Sequence, residues 1–409
     1  MPVNYRKLFD NSLLFTVIFP NLRAVSSTNS FQPLTLPLIF ADAAIRGRAD
    51  RHAASFAAVY LVCVLLSFLI HGKIAGATLL YSVLYLSGPL TYFYFIGRGE
   101  SLSTTLINIG LGFTFLTVAE QFFVASPLAE SVISTVFANR PPEVAIGLRG
   151  VGGFMSEPSQ SGRLYVFLLF LAYLLKCRFR AFWLVMAIPF LLMNRSASAF
   201  LLLLALLMVL SYRRSKTFTL VLIGIGAVAF PYFLLIEFRF SEVFERFLLA
   251  WESAGNASVV SVLGTAGGRR LIQTAVGFMS LSVYPLGNGI GSSLETFQAV
   301  AQSVGFDLSD WSRYEEFEDG LKPSSYAAQI VYDFGWLAVP ILAALAFPFR
   351  NHRVGPDPLR KMVFLLGAAQ ILVASPTTIP WPWVMMAVGL VPAEPRSRIP
   401  AVQPAPGVA

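Results

Sequence analysis

Residues 52–71 read HAASFAAVYLVCVLLSFLIH, and residues 74–97 read IAGATLLYSVLYLSGPLTYFYFIG. Neither stretch holds an Asp, Glu, Lys or Arg, and each is as long as the roughly 20 residues that carry a helix across hydrocarbon. A turn of a few residues joins them. Arg46, Arg48 and Arg51 precede the first and Arg98 follows the second. A pair of apolar helices with basic residues at both outer ends is a membrane hairpin whose ends lie on the cytoplasmic side. Working outward, residues 103–124, 162–178, 217–236, 324–349 and 361–378 repeat the pattern. The composition agrees, because 56% of the 409 residues are hydrophobic and only 13% are charged, which excludes a soluble enzyme. Cys63 and Cys177 offer neither a disulfide framework nor metal-ligand spacing and read as packing residues.

Parity of the basic turns settles most of the ambiguous segments. Ala181 to Leu210 is apolar apart from Asn194, Arg195, Ser196 and Ser198, and it lies between Lys176/Arg178/Arg180 and Arg213/Arg214/Lys216. Two basic flanks on one side require an even number of crossings, so two short helices are expected with Arg195 at the outer turn. Residues 11–22 and 31–41 are likewise expected to form two short helices or a re-entrant pair. The basic start followed by Leu13 to Phe19 has some features of a leader, but no small-x-small cleavage pattern follows, and the segment is expected to be retained.

The last apolar run, Trp381 to Val391, leads into a Pro-rich tail at 394–409 that is expected to be disordered. Residues 1–393 thus read as one all-α integral membrane domain of about twelve transmembrane helices with both termini cytoplasmic. The excess of 30 basic over 22 acidic residues is explained by inside turns facing membrane lipid, with no nucleic acid implied. Two large outer loops are expected, near 125–161 and 237–323, and within the second, residues 271–284 suit a helix lying in the interface or packed onto the bundle.

Few polar groups lie where chemistry is possible. The first outer loop ends Gly147-Leu-Arg149-Gly150-Val-Gly152-Gly153-Phe-Met-Ser156-Glu157-Pro158-Ser159-Gln160-Ser161-Gly162-Arg163, directly before a membrane helix. Its bland reading is a glycine-rich turn with Ser161 near a helix cap and Arg163 anchored at the interface. Its functional reading is a general acid or base, Glu157, beside the anion-binding Arg149 or Arg163. Arg195 is either a snorkelling arginine or an outward cation placed against the usual sidedness. Arg269 and Arg270 suit phospholipid phosphate or the diphosphate of a lipid-linked substrate.

Pro285-Leu-Gly287-Asn-Gly289-Ile-Gly291 reads as a turn or as a backbone nest for phosphate. Glu120 and Asp333 are intramembrane acids, functional candidates unless a neighbouring helix satisfies them. His52 and His352 belong to inside turns and His71 to a tight outer turn, so the long outer loop carries no histidine base and no zinc motif.

Four of these elements together resemble the O-antigen polymerase and ligase superfamily of bacterial membrane glycosyltransferases. Gly153-Phe-Met-Ser-Glu157-Pro158-Ser159 is similar to a Gly-Phe-x-x-Glu-Pro-Ser stretch of many polymerases, and Asn194-Arg195-Ser196-Ala-Ser198 to their serine-arginine-rich helix start. Arg270 with the glycine series 285–291 resembles the large outer loop, and Ser325-Tyr326 with Asp333-Phe-Gly335 the helix that follows it. The resemblance implies a GT-C-type helical bundle in the inner (plasma) membrane that polymerises undecaprenyl-diphosphate-linked repeats into O-antigen or exopolysaccharide at the outer face. It implies no cofactor, no metal and no nucleotide sugar, and makes a chain-length regulator protein a candidate partner.

Glu157 or Asp333 would act on the acceptor hydroxyl, and Arg149, Arg163, Arg195, Arg269 and Arg270 would hold the leaving diphosphate. Tyr326 would contact the glycan, as would Trp251, Trp311 or Tyr314. One departure stands out: where ligases usually carry a histidine this chain has Pro323-Ser324-Ser325, which favours a polymerase over a ligase. The other readings are a lipid-linked oligosaccharide flippase or polysaccharide transporter, whose two-fold repeat in hydropathy is not visible here, and a non-enzymatic assembly subunit.

Single cysteines introduced between Ser241 and Ser261 are expected to react with a membrane-impermeant maleimide from the outer side of the intact inner membrane. Labelling only after that membrane is permeabilised would overturn the topology.

Overall fold

The computed structural model describes residues 5–20, 22, 34–47, 50–72, 76–98, 101–123, 151, 153–155, 158–212, 215, 269–306, 322–373 and 379–393. These are mostly helical. In order they form α1 (Tyr5–Ile18), α2 (Thr35–Arg46), α3 (Arg51–His71), α4 (Gly76–Phe95), α5 (Thr104–Phe123), α6 (Pro158–Leu174), α7 (Arg180–Asn194) and α8 (Ala197–Tyr212). After the long loop come α9 (Arg269–Val283), α10 (Ser293–Ser303), α11 (Tyr326–Phe334), α12 (Ala338–Ala344), α13 (Pro358–Val373) and α14 (Trp381–Gly389). A short ribbon pairs β1 (His352–Val354) with β2 (Leu390–Pro392), antiparallel, with His352 opposite Pro392.

Helix α3 shows how the sequence makes a spanning element. The Asp50 side chain accepts the N–H groups of His52 and Ala53 at 2.8 and 3.2 Å, satisfying donors that a helix start leaves orphaned. Gly72 ends the helix in the left-handed conformation, φ +63°, with its N–H on Phe68 O. Phe56, Tyr60, Cys63, Val64 and Ser67 recur at helical spacing and are buried. Leu61, Val62, Leu65, Leu66 and Leu69 are exposed on the other side, the surface hydrocarbon would cover.

Three helical stretches among the described residues are long and apolar enough to cross a membrane: Arg51–His71, Thr104–Phe123 and Tyr326–Arg350. The two-helix reading of 181–210 matches α7 and α8, which part at Arg195 and Ser196, and the N-terminal pair matches α1 and α2. The segment 271–284 is helical as α9 and packs on α11, with Ile272, Gln273, Thr274, Val276 and Ser280 buried and Phe278, Met279, Ser282 and Val283 exposed. The expected span 217–236 and the tail 394–409 lie outside the described residues, as do all of 237–268 and all but a few residues of the first outer loop.

The basic turns gather at one end. There Asp10 on α1 accepts from Tyr94 Oη at 2.8 Å, Arg98 Nη1 at 3.2 Å and Ser101 Oγ at 3.2 Å, and Asp42 on α2 pairs with Arg46 at 2.7 Å. The rings of His52 and His352 lie 6.5 Å apart at the same end. At the centre runs α14. All nine of its residues are buried, including Trp381 and Trp383, and it packs against α4, α6 and α13.

The expected span 324–349 differs in one respect: it is not a continuous helix. Helix α11 ends at Phe334, Gly335 takes φ +55°, and a 3-10 turn (Gly335–Leu337) leads into α12. The loop Pro285–Gly291 is laid into this break. Asn288 N bonds Tyr332 O at 3.0 Å, Gly289 N bonds Asp333 O at 3.1 Å, and Trp336 N bonds Pro285 O at 2.9 Å. A break inside a spanning stretch frees backbone groups that hydrocarbon cannot satisfy, so another part of the chain must supply partners. The backbones approach so closely that a Cβ on Gly335 would overlap Pro285 O, and one on Gly287 would overlap Asp333 O.

Gly335→Ala therefore combines a left-handed backbone with steric overlap, and is expected to lower the unfolding free energy by about 2 kcal/mol or more. Gly47→Ala, at φ +63° with nothing within 4 Å, is the control and should cost about 1 kcal/mol. Denaturant unfolding of both variants in detergent checks the difference; equal costs would mean that the loop does not pin the break.

Candidate functional site

Among the described residues, two polar clusters lie in the bundle apart from the one around Asp10. The first is built where α5, α6, α7 and α8 meet. Gln121, near the end of α5, donates from Nε2 to Gly153 O at 2.8 Å and accepts Gly153 N–H on Oε1 at 2.7 Å. One side-chain amide thus satisfies both backbone groups of Gly153, as a neighbouring strand would. The next residue, Phe154, is fully buried, its ring 5.5 Å from that of Phe19 and 5.1 Å from that of Phe113. Helix α6 then opens on Pro158, whose missing N–H costs nothing at a helix start.

Asn194, the last residue of α7, closes this cluster. Its Nδ2 donates to Val151 O at 2.9 Å and to Ser161 Oγ at 2.8 Å, while Val151 N–H bonds Met193 O at 3.3 Å. The tip between α7 and α8 is thereby tied to both ends of the segment 151–161. Arg195 follows in the left-handed conformation, φ 52° and ψ 35°, its N–H on Leu191 O at 2.8 Å. Non-glycine residues adopt that conformation rarely, and it turns the chain sharply from one helix into the next. Arg195 is exposed. Ser196 Oγ accepts Ala199 N–H at 3.3 Å and sits 3.1 Å from Ser198 Oγ, so hydroxyls and the N-terminal amides of α8 adjoin Arg195. A helix N-terminus beside an arginine favours an anion.

The second cluster surrounds the break in the Tyr326–Arg350 span. Asp333 is fully buried; the Tyr85 hydroxyl donates to its Oδ2, and Gly291 N–H reaches the same oxygen at 3.2 Å. Tyr326 opens α11, where Ser325 Oγ accepts Ala328 N–H at 3.2 Å. The Tyr326 hydroxyl donates to Tyr85 O at 3.2 Å, and its ring meets that of Trp383 edge-on at 4.7 Å. His71 comes from the end of α3 to the loop over Asp333, with Nε2 3.3 Å from Leu286 O.

The residues singled out in the sequence thus divide. Arg163 and Arg195 belong to the first cluster. Arg163 is no exposed anchor: it is 4% exposed, and its Nε donates to Ser159 O at 3.1 Å. Asp333 and Tyr326 belong to the second, and α14 lies between the two, packed on α6 while its Trp383 touches Tyr326. Tyr326 is a core ring here, with no exposed face. Glu120 is half-buried near the end of α5, next to Gln121. Glu157 and Arg149 lie outside the described residues; Arg269 and Arg270 open α9, and their side chains also lie outside the description.

Sequence reasoning missed Gln121, Tyr85 and the approach of His71, because each acts on a segment at least 32 positions away. A polar residue inside an apolar run is the one signal that could have marked Gln121. Comparisons with family models, curated proteins and solved structures give no match for the chain.

Asn194→Leu removes both bonds that tie the α7–α8 tip to Val151 and Ser161. It is expected to lower stability by about 1–3 kcal/mol and to raise amide exchange at Val151. Unchanged exchange there would show that the tip is held by packing alone.

Proposed function

We propose that the chain is a multi-pass glycosyltransferase of the bacterial inner membrane that polymerises undecaprenyl-diphosphate-linked repeats into O-antigen or exopolysaccharide at the outer face. The support is the resemblance in four motifs together with one observation: Asn194, the first residue of the motif 194–198, is hydrogen-bonded to Val151 O and Ser161 Oγ, which flank the motif 153–159. In this reading the end that gathers Arg46, Arg51, Arg98 and His352 is cytoplasmic, both termini are inside, and the chain crosses about twelve times. The α7–α8 tip then faces outward.

The chemistry asks for few parts. An acceptor hydroxyl attacks the anomeric carbon of the lipid-linked glycan, the bond to the diphosphate breaks, and the departing electron pair is stabilised by cations and helix-start amides. Arg195, presented at the start of α8, is the residue for that task, with Arg149, Arg269 and Arg270 as further candidates. Glu157, which directly precedes the first residue of α6 in the sequence, takes the hydroxyl proton, with Asp333 as the other candidate carboxylate. A chain-length regulator is the expected protein partner.

A flippase is the second reading, and one observation favours it. A spanning helix broken beside a buried acid is the form in which transporters often build midplane sites. The two differ in product, since a flippase moves repeats without lengthening them.

Arg195→Ala is expected to lower polymer yield about tenfold to a hundredfold at normal protein level, and Arg195→Lys to recover part of it, since charge returns without the planar fork. Glu157→Gln should keep glycan binding and cut the rate by roughly 10²- to 10⁴-fold. Wild-type polymer length and yield from both Arg195→Ala and Glu157→Gln strains would contradict the proposal.

A further inference from the structure

Three buried polar atoms on α11 and at the start of α10 have no hydrogen-bond partner among the described residues: Asp333 Oδ1, Gln329 Nε2 and Ser293 Oγ. The three residues are 0%, 2% and 0% exposed. Gln329 and Asp333 stand one turn apart on the same face of α11. An amide and a carboxylate at that spacing can bond each other directly, yet here these two do not. Ser293 lies two positions beyond Gly291, whose N–H holds Asp333 Oδ2. Leaving a buried donor and a buried acceptor unpaired is costly, and such groups usually belong to a site.

The pattern of leftover groups selects the ligand. Oδ1 accepts, Nε2 donates, and the serine hydroxyl does either. A cation would face the amide N–H group, and an anion would face the carboxylate. A neutral hydroxyl donates to one and accepts from the other. We propose that Asp333, Gln329 and Ser293 form a subsite for one hydroxyl of the lipid-linked glycan, an inference that rests on the glycosyltransferase reading above. Tyr85 is its positioning residue: by donating to Oδ2 it fixes the carboxylate and leaves Oδ1 for the ligand. The cover is one layer of chain. Gly287 and Gly289 lie directly on the α11 end, while the adjoining Leu286 is 53% exposed. Entry therefore requires that the glycine loop lift from the break, at the cost of the three backbone bonds it makes there.

The test uses purified full-length protein in liposomes, with lipid-linked repeats extracted from cells lacking it. Gln329→Leu should raise KM for the repeat tenfold or more with kcat within threefold, and should not lower the thermal unfolding midpoint, because an unpaired buried amide is replaced by an apolar side chain of similar size. Tyr85→Phe, which frees the same carboxylate, should likewise raise KM. The exchange variant Gln329→Glu/Asp333→Asn keeps one donor and one acceptor in swapped places, which a rotatable hydroxyl accommodates. It should recover most of the KM lost in either single variant. An active wild type whose KM is unchanged by Gln329→Leu, or an exchange variant that folds yet is no better than its singles, sinks the subsite and leaves the enzyme reading standing. If the exchange variant does not fold, the Gln329→Leu result decides. A wild type that never lengthens the repeat removes both.

Discussion

Backbone polarity in a medium without water is the constraint on which the rest of this structure depends. Where the Tyr326–Arg350 stretch breaks at Gly335, the backbone groups freed at Tyr332, Asp333 and Trp336 are met by a loop from elsewhere in the chain. That loop can lie so close only because Gly287 and Gly335 carry no side chains at the crossing. Three backbone bonds then fix three helices at once: α9, which leads into the loop; α10, which leaves it; and α11, which receives it. Asp333 is buried because it sits at this crossing, and Tyr85 carries the same knot across to α4.

The Gln121–Asn194 cluster obeys the same rule by different means. Side-chain amides, rather than a loop, satisfy the backbone of the segment entering α6. Because an amide both donates and accepts, one Gln or Asn can hold a strand-like segment in place without a sheet. The result is an arginine in a left-handed turn, exposed at the junction of two helices whose buried faces are fixed. Between the clusters α14 is buried along its whole length. Buried packing at the centre thus separates the two clusters.

Much of the architecture was legible in the sequence. The charge-free run 52–71, the division of 181–210 into α7 and α8 at Arg195, and the helix over 271–284 follow from apolar length, basic flanks and helical spacing. The break at Gly335 does not follow, since its cause is a loop distant in the chain, and hydropathy over 324–349 is uninterrupted. Local pattern likewise assigns Arg163 to the surface, because an arginine one turn into a helix after a loop usually is; only the packing of α6 among α5, α7 and α8 buries it. Tyr326 is named as a glycan contact on the resemblance, and its ring is buried. The chemistry-bearing residues are therefore visible as types, whereas their partners Gln121, Asn194, Gln329 and Tyr85 become visible only once the chain is folded.

The central claim is that this bundle lengthens a lipid-linked glycan. The most direct measurement is turnover by the purified protein in liposomes supplied only with lipid-linked repeat, the products resolved by size. The account predicts a ladder of products longer than one repeat, formed without nucleotide sugar. A single band of unextended repeat, with folded protein present, would contradict it.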